Sequence, residues 1–343
     1  MDFFSERNQK ATLKLREVQA ELPTFCREFF VGISAQTSAL TKLNYAYDLR
    51  LFFNYMLKYE MRIHTVDTLT IGHLSVVTAS HIEGFLEYLS FYQGEDGKAH
   101  RNDARGKARK LASVKALFRY FYNKDKLAHN PAAKVGTPKV HEKEIIRLEP
   151  CEVTDILDRV LTGDGLTDRQ YDFHKKSYLR DAAILSMFLG TGIRISELVG
   201  LNIDDIDFKI NGFTVTRKGG ARVILYFPDQ VAETLYEYTE ERKSDAEVKP
   251  NETALFLSGQ NKRISVRAVQ NLVEKYAKIV SPLKHITPHK LRSTFGTNLY
   301  RTTKDIYVVA EVLGHKDVNT TKKHYAATSD DIRREAAARI KLK

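Results

Sequence analysis

The stretch Lys107–Tyr122 places apolar side chains at every third or fourth position, and this spacing constrains the fold more than any other local feature. An α-helix completes a turn in 3.6 residues, so these positions would share one face. The stretch therefore predicts a helix whose apolar face packs into a core, with basic residues off that face. The apolar positions are Leu111, Val114, Leu117, Phe118 and Phe121.

Two earlier stretches, Thr41–Tyr59 and Ser80–Tyr92, repeat this periodicity, so the first 148 residues are predicted to be mainly helical. The polar stretch Gln93–Gly106 contains two early glycines and is expected to be a flexible loop or insertion. The apolar positions of the two stretches are Leu43, Tyr47, Leu51, Phe52 and Tyr55, then Ile82, Phe85, Leu86, Leu89 and Tyr92.

The second half of the chain mixes helical periodicity with two β-rich runs, Phe213–Thr216 and Arg222–Phe227. The runs are separated by Arg217–Ala221, which predicts a hairpin. A polar interruption is expected at Thr162–Lys176. The predicted helices are Glu152–Leu161, the buried Asp181–Leu189, Gln230–Arg242, Val266–Lys278 and His289–Tyr300.

The chain of 343 residues is long enough for two domains with separate cores. Asn130-Pro131 is expected to end the helical domain, and the Gly- and Pro-containing stretch that follows is expected to be a linker. We therefore predict a helical domain over 1–134, a linker over 135–148 and a second domain over 149–343. The predicted fold class is mainly α with a small β-sheet, the second domain being α+β.

Positive charge is concentrated near the end of the first domain. The chain carries a formal charge of +11, and residues 98–147 hold 14 Lys and Arg against 4 Asp and Glu. This stretch is either a solvated surface or a phosphate-binding one, and its local excess favours the second interpretation. The candidate phosphate contacts are Arg105, Lys107, Lys110, Lys115 and Arg119.

The two cysteines, Cys26 and Cys151, lack metal-type spacing, so we expect neither a disulfide framework nor a metal site. We also expect no cofactor. Both cysteines are predicted to be small buried hydrophobic residues. The start of the chain does not resemble a signal peptide, and the apolar stretch Ala182–Leu189 is too short to span a bilayer. We expect a cytoplasmic protein without membrane contact.

Three local patterns in the second half carry side chains suited to phosphate chemistry. Two guanidinium groups can grip one phosphate, a lysine and two histidines can move protons, and a tyrosine can attack phosphorus. The patterns are Thr191–Leu198, His289–Arg292, and Leu313–His315 with a tyrosine ten residues after the histidine. The candidate catalytic residues are Arg194, Lys218, His289, Arg292, His315 and Tyr325, with Glu197 in support of Arg194.

Each candidate has a less specific explanation. Arg194 and Glu197 could form a surface salt bridge, and Lys218 could be a turn lysine on bulk phosphate. Tyr325 could be a packing residue among 17 tyrosines, and lone histidines are more often structural. The joint occurrence of the patterns, in order, favours the catalytic interpretation.

Taken together, these residues resemble the tyrosine recombinases of the integrase/Xer family, specifically over about residues 180–330 and more loosely before residue 148. The resemblance implies a two-domain, C-shaped clamp on DNA that cuts and rejoins strands through a 3′-phosphotyrosine and a Holliday junction. It also implies roles: Tyr325 as nucleophile, Lys218 as the acid that protonates the 5′-oxygen, His289 as proton acceptor, and His315 as a phosphate ligand.

The chain departs from the family pattern at two points. Many relatives have a histidine where this chain has Ser293, and many place nine rather than ten steps between His315 and Tyr325. Neither departure removes one of the six catalytic groups. The resemblance makes Arg217, Arg222 and Lys290 further candidate DNA contacts.

The resemblance also implies that the partner is double-stranded DNA with paired inverted-repeat half-sites. It further implies a location at the nucleoid. Four copies would act on two sites, and an accessory protein could take part. The tail Ser329–Lys343 is predicted to form an amphipathic helix that either packs on its own domain or docks into a neighbouring protomer.

Several functions stay open at this point. A type IB topoisomerase-like enzyme uses the same chemistry on one duplex, and a catalytically silent DNA-binding protein would keep the fold. Within recombination, chromosome-dimer resolution and mobile-element integration or excision are both compatible with the sequence. The short N-terminal region mildly favours a simple Xer-like enzyme.

Overall fold

The computed structural model describes residues 3–61, 65–94, 97–140, 146–217, 220–315, 317–319 and 321. The chain divides into two compact units, Met1–Lys143 and Glu144–Lys343. The boundary falls within the stretch that the sequence predicts as a linker. Val135 and Leu148, at the two ends of that stretch, are each buried.

Over its described residues, the first unit is helical apart from one short hairpin. Tyr92 pairs with His100 in that hairpin, whose strands are antiparallel. A π-helical turn, Met56–Met61, extends α3, and a 3-10 turn covers Val66–Thr68. The elements are α1 (Phe3–Gln19), α2 (Cys26–Gly32), α3 (Ala39–Tyr55), α4 (Ile71–Ser75), α5 (Ala79–Tyr88), β1 (Tyr92–Gln93), β2 (Ala99–His100), α6 (Ala104–Tyr122) and α7 (Pro131–Lys134).

The apolar face of α6 packs in the core of this unit, as its periodicity predicts. Its five predicted apolar positions are all buried, from Leu111 to Phe121. Asp103 caps the helix by accepting a hydrogen bond from the Gly106 amide at 2.8 Å. The buried Asp48 of α3 accepts from Ser113 and Arg109 of α6, at 2.7 and 2.5 Å, so the two helices also share a polar contact.

Three expectations for this unit were wrong in detail. Gln93–Gly106 is not simply a loop, because it holds β2, part of β1 and the start of α6. The helix predicted to reach Tyr92 ends at Tyr88. Asn130 does not end the helical unit: its side chain accepts from the Ala133 amide at 3.2 Å and caps α7, which Pro131 begins.

In the part of the second unit that the structure describes, helices combine with a three-stranded antiparallel sheet of order β3-β4-β5. The predicted hairpin is confirmed, with Phe213 opposite Leu225 and Thr216 opposite Arg222. The elements are α8 (Pro150–Thr162), α9 (Asp168–His174), α10 (Tyr178–Thr191), α11 (Ile195–Gly200), β3 (Ile206–Asp207), β4 (Gly212–Thr216), β5 (Arg222–Tyr226), α12 (Asp229–Ser244), α13 (Val266–Val280), α14 (Pro288–Thr303) and α15 (Ile306–Leu313), with a 3-10 turn at Ile203–Asp205.

The predicted buried helix is confirmed as α10, which is longer than its apolar stretch indicated. The stretch Thr162–Lys176 is not merely a polar interruption, because it contains α9. Cys26 is buried as expected, but Cys151 is exposed on the first turn of α8. None of the described helices is long and apolar enough to cross a membrane.

Candidate active site

Arg194 stands at the start of α11, where the chain turns sharply after α10. Gly192, in the left-handed region at φ 62°, ends α10. Arg194 has an extended backbone, and its amide donates to Glu197 Oε2 at 3.1 Å. Its guanidinium Nη1 donates to Glu197 Oε1 at 2.8 Å. Glu197 thus holds both the backbone and the side chain of Arg194.

The pair is not an open surface salt bridge. The side chain of Glu197 is 4% exposed, whereas that of Arg194 is 36% exposed. A buried carboxylate that accepts two hydrogen bonds from one arginine fixes that side chain more firmly than a solvated pair would. Glu197 therefore orients Arg194 from the protein side and leaves part of the guanidinium accessible.

Arg292, on α14, meets Arg194 at the C-terminal end of α15. Arg292 is buried, and its Nη1 donates to the Gly192 carbonyl at 2.5 Å. Its Nη2 donates to the Leu313 carbonyl, which also accepts from Arg194 Nη2 at 3.1 Å. The two arginines singled out in the sequence therefore share one acceptor atom.

Both turns at this junction depend on glycine. Gly192 and Gly314 have φ values of 62° and 61°, a conformation that side chains rarely adopt. A Cβ on Gly192 would collide with Phe295 and Leu313, and one on Gly314 would collide with the Arg217 guanidinium. The Arg217 guanidinium occupies the space that a side chain at position 314 would take.

Arg217 also belongs to this cluster, although the sequence predicted it only as a contact with DNA. Its Nη2 donates to the Val312 carbonyl at 3.0 Å. Burial lowers the pKa of its guanidinium; the nearby Arg194 charge acts in the same direction, and Glu197 opposes both. The signal was available, because Phe213 and Val215 of β4 are buried and strand alternation places residue 217 on the same side.

Each of the two predicted catalytic histidines lies close in sequence to a residue of this cluster. His315 follows Gly314, and its Nδ1 lies 2.7 Å from the hydroxyl of the buried Thr321. His289 is exposed on the first turn of α14, three residues before Arg292. Ser293 stands where many relatives have a histidine. Its hydroxyl donates to the His289 carbonyl one turn earlier in α14, at 3.1 Å.

The other two predicted catalytic residues, Lys218 and Tyr325, lie outside the described residues, as does the predicted tail helix Ser329–Lys343. Within the described residues, no group of three or more His, Cys, Asp or Glu could hold a metal ion. Of the six catalytic candidates, the structure thus describes both arginines and both histidines.

The candidate DNA contacts differ in how free their charges are. Lys107, Lys110 and Lys115 donate to Ser90, Asn102 and the Val135 carbonyl, at 2.6, 2.8 and 2.7 Å. Arg105 and Arg119 are exposed, and Lys290 is half-buried. Arg222 is 70% exposed and lies 3.6 Å from Asp205. Their contacts with DNA stay predictions.

The cluster suits an anion. Three guanidinium groups, those of Arg194, Arg217 and Arg292, point at carbonyl oxygens at the end of α15, where the helix dipole is negative. A phosphate would be a stronger partner for such groups than a neutral carbonyl, because charge-assisted hydrogen bonds are stronger. The fold and the site together define a class: a mainly helical, two-unit protein with a cluster of arginines whose chemistry suits a phosphate-like group.

Comparison with known proteins identifies the family. The sequence pattern of the phage integrase family matches residues 148–331. A tyrosine recombinase XerC of Caldanaerobacter subterraneus subsp. tengcongensis is 32% identical over 340 residues, covering 95% of this chain and 90% of the relative. The chain therefore belongs to the phage integrase family and is a tyrosine recombinase.

Other relatives and solved structures agree. The tyrosine recombinase XerS of Streptococcus equi subsp. zooepidemicus is 27% identical over 354 residues, 93% of this chain and 96% of the relative. The fold resembles that of XerH site-specific recombinase bound to its palindromic difH substrate (TM-score 0.66, 20% identity, 88% of this chain and 80% of that one). It also resembles the Tn1549 transposon integrase in complex with DNA (TM-score 0.64, 21% identity, 92% and 99%).

Proposed function

We propose that this protein is a site-specific DNA recombinase that cuts and rejoins double-stranded DNA through a 3′-phosphotyrosine and a Holliday junction. The observation that carries the proposal is the convergence of Arg194 and Arg292 on the Leu313 carbonyl oxygen. A scissile phosphate in their place would receive two planar donors, one of them oriented by a buried carboxylate. The family relationship extends over the same residues.

The chemistry follows from the side chains. The Tyr325 phenol oxygen attacks phosphorus, and the bond from phosphorus to the 5′-oxygen breaks. His289 takes the phenol proton, and the Lys218 ammonium gives a proton to the departing oxygen. Arg194, Arg292 and His315 hold the phosphate as negative charge builds up on its oxygens. The freed 5′-hydroxyl of a partner strand reverses these steps.

The reaction needs neither a metal nor ATP on this proposal. The arginines supply the positive charge that a metal supplies in other phosphoryl-transfer enzymes. The phosphotyrosine keeps the energy of the broken bond, so the religation step needs no nucleotide. The cleavage assay described below should therefore proceed in a chelating buffer without ATP.

The proposed assembly is a homotetramer on two DNA sites, each with paired inverted-repeat half-sites. The predicted helix Ser329–Lys343 would exchange between protomers, and an accessory protein could bias the direction. Relatives named XerC and XerS favour chromosome-dimer resolution, whereas the similarity to a transposon integrase keeps mobile-element integration or excision as the second role.

The decisive variant is Tyr325→Phe, because it removes the nucleophilic oxygen alone. We expect it to bind DNA normally and to form no denaturant-resistant adduct with nicked suicide duplexes. The matched control is Tyr307→Phe, which removes a hydroxyl from a tyrosine that is 71% exposed on α15. Adducts that persist in Tyr325→Phe would contradict the assignment.

The same assay, run with duplexes from the source genome and from any element that flanks the gene, separates the roles. Adducts at one near-palindromic site by the replication terminus indicate dimer resolution, and adducts at the ends of an element indicate integration or excision. Adducts without sequence preference, together with relaxation of supercoils by a monomer, would instead indicate a topoisomerase-like enzyme.

A further inference from the structure

Strand β5 lies at one edge of the three-stranded sheet and, within the part of the chain that the structure describes, pairs with β4 alone. The Arg217 amide donates to the Ala221 carbonyl at 2.8 Å, and the Phe227 amide donates to the Asn211 carbonyl at 2.9 Å. Alternate residues of an antiparallel ladder turn their backbone groups towards the neighbouring strand. These two bonds therefore fix which residues of β5 turn theirs away from β4. The outward set is Arg222, Ile224 and Tyr226.

The side chains of the same three residues are exposed. Ile224 is 52% exposed and Tyr226 65%, and the side chain of Arg222 is 70% exposed. Leu225, on the opposite face, is buried. Edge strands are commonly protected from pairing by lysines, prolines or bulges. The strand β5 has neither lysine nor proline, so it presents outward backbone groups beside an apolar, exposed side.

A second copy of β5 fits this edge. When two copies pair in antiparallel fashion about a two-fold axis at Ile224, Arg222 of one copy lies opposite the partner's Tyr226. This register pairs all three outward residues of both strands and gives about six backbone hydrogen bonds. A shift by two residues in either direction would leave Arg222 or Tyr226 without a counterpart on the partner strand. The outward backbone groups are therefore self-complementary in one register.

The side chains are also self-complementary in that register. Directly opposite residues of an antiparallel pair point to the same face, so Ile224 would pack on the partner's Ile224. The Arg222 guanidinium would lie against the partner's Tyr226 ring, which is a favourable cation–π pair. The two copies of Arg222 would stand roughly 14 Å apart along the strands, at about 3.4 Å per residue, so like charges would not meet.

We propose that β5 is a self-pairing edge: two copies of this chain join through β5 about an axis at Ile224, and their two three-stranded sheets become one continuous sheet. The contact covers backbone groups and apolar side chains that would otherwise act as a template for non-specific pairing. The pairing needs neither DNA nor a catalytic residue. It therefore goes beyond the proposed recombination reaction and does not depend on it.

The test is sedimentation equilibrium of the full-length protein without DNA over a range of concentrations. We expect the mass of the wild-type protein to rise from that of one chain towards that of two. Ile224→Lys and Ile224→Glu should each remain single chains, because each places like charges opposite one another at the axis. An equimolar mixture of the two variants should form the dimer again, because opposite charges then meet. That recovery would also show that both variants are folded.

Ile210→Lys is the matched control, because Ile210 is also 52% exposed but lies between β3 and β4, away from the paired edge. This variant should still dimerise. Ile224→Pro is the second test, because it removes an amide hydrogen that faces away from β4 and so blocks the pairing without breaking the β4–β5 ladder. It should remain a single chain.

Three results would overturn the proposal. The first is a wild-type protein that stays a single chain at every concentration, including one whose Ile224 amide is protected from hydrogen exchange because another segment of the same chain covers the edge. The second is a mixture of Ile224→Lys and Ile224→Glu that remains unpaired. The third is a loss of the dimer in Ile210→Lys as complete as in Ile224→Lys, which would indicate a contact through the face of the sheet.

Discussion

Among single residues, Glu197 determines how well Arg194 is oriented, because its buried carboxylate accepts from both the backbone and the guanidinium of that arginine. Glu197→Gln keeps the shape but replaces one acceptor by a donor that faces a cation. We expect slower adduct formation, unchanged DNA affinity and a loss of about 1–3 kcal/mol of unfolding free energy. Single-turnover cleavage, DNA titration and urea unfolding would measure these three quantities.

The comparison for that variant is Glu240→Gln, which alters an exposed pair with Lys243 on α12. That variant should leave both the cleavage rate and the stability unchanged. If Glu197→Gln cleaved as fast as the wild-type protein, the buried pair would serve stability alone.

Gly314 provides a second test at this scale, because it combines a left-handed backbone with a close neighbour. Gly314→Ala should destabilise the protein by more than the roughly 1–2 kcal/mol that the left-handed conformation alone costs, since its Cβ would collide with Arg217. Gly220→Ala isolates the conformational cost, because Gly220 has φ 87° but open space around its Cβ position. Unfolding free energies of both variants would be compared.

The collision can be tested separately by adding Arg217→Ala to Gly314→Ala. The double variant should recover stability relative to Gly314→Ala, which a double-mutant cycle would show as coupling. Purely additive effects would mean that the two residues do not compete for space.

At the scale of elements, α9, α10 and α13 share a buried polar network. His174, the last residue of α9, has Nδ1 3.1 Å from the Tyr276 hydroxyl, and that hydroxyl donates to the buried Asp181 at 3.2 Å. Lys275 donates to the same carboxylate at 3.1 Å. Burial, and then the Lys275 charge, lower the pKa of His174, whereas Asp181 opposes the change.

The lowered pKa gives a signed pH dependence. The unfolded chain binds a proton at residue 174 more readily than the folded chain, so acid favours unfolding. This contribution to stability is fully present above the ordinary histidine pKa of 6.5 and is lost as the pH falls from there through the lowered value. Urea unfolding over this range should show less pH dependence for His174→Gln, and an unchanged slope would contradict the argument.

An element could be predicted from the sequence when its apolar residues recur at regular spacing. Helix α6 was predictable because its apolar face is long and regular, and the hairpin β4–β5 because two β-rich runs flank glycines. Helix α9 was missed because its seven residues are mostly polar and carry one buried side chain, His174. Such a short helix is fixed by tertiary contacts, which local periodicity does not contain.

The residues of the candidate site could be predicted from the sequence, but the way they come together could not. The positions of Arg194 and Arg292 follow from local motifs, but their meeting point, the Leu313 carbonyl, is set by the packing of α10, α14 and α15. Arg217 was predicted only as a contact with DNA, from the resemblance to the family. The alternation along β4 places residue 217 on the same side as the buried Phe213 and Val215. In the structure the side chain lies on that side despite its charge.

At the scale of the whole molecule, each unit carries basic side chains that the proposed reaction could use. The second unit holds the arginine cluster, and the first carries the basic helix α6. The basic side chains of α6 differ in their exposure and in their hydrogen bonds. Lys115 donates a hydrogen bond to the Val135 carbonyl, whereas Arg105 and Arg119 are exposed.

This difference predicts how DNA affinity depends on salt. For a basic side chain that contacts a phosphate, replacement by alanine should reduce the slope of log affinity against log salt by about 0.9. We expect that reduction for Arg105→Ala and Arg119→Ala, and a smaller one for Lys115→Ala, which should instead lower stability. Fluorescence anisotropy titrations over a range of salt concentrations would give the slopes.

Lys10→Ala on α1 is the control, because it removes the same charge from a side chain that is 75% exposed and paired with Glu6. A slope reduced as much by Lys10→Ala as by the two arginine variants would mean that net charge, and not contact along α6, governs binding.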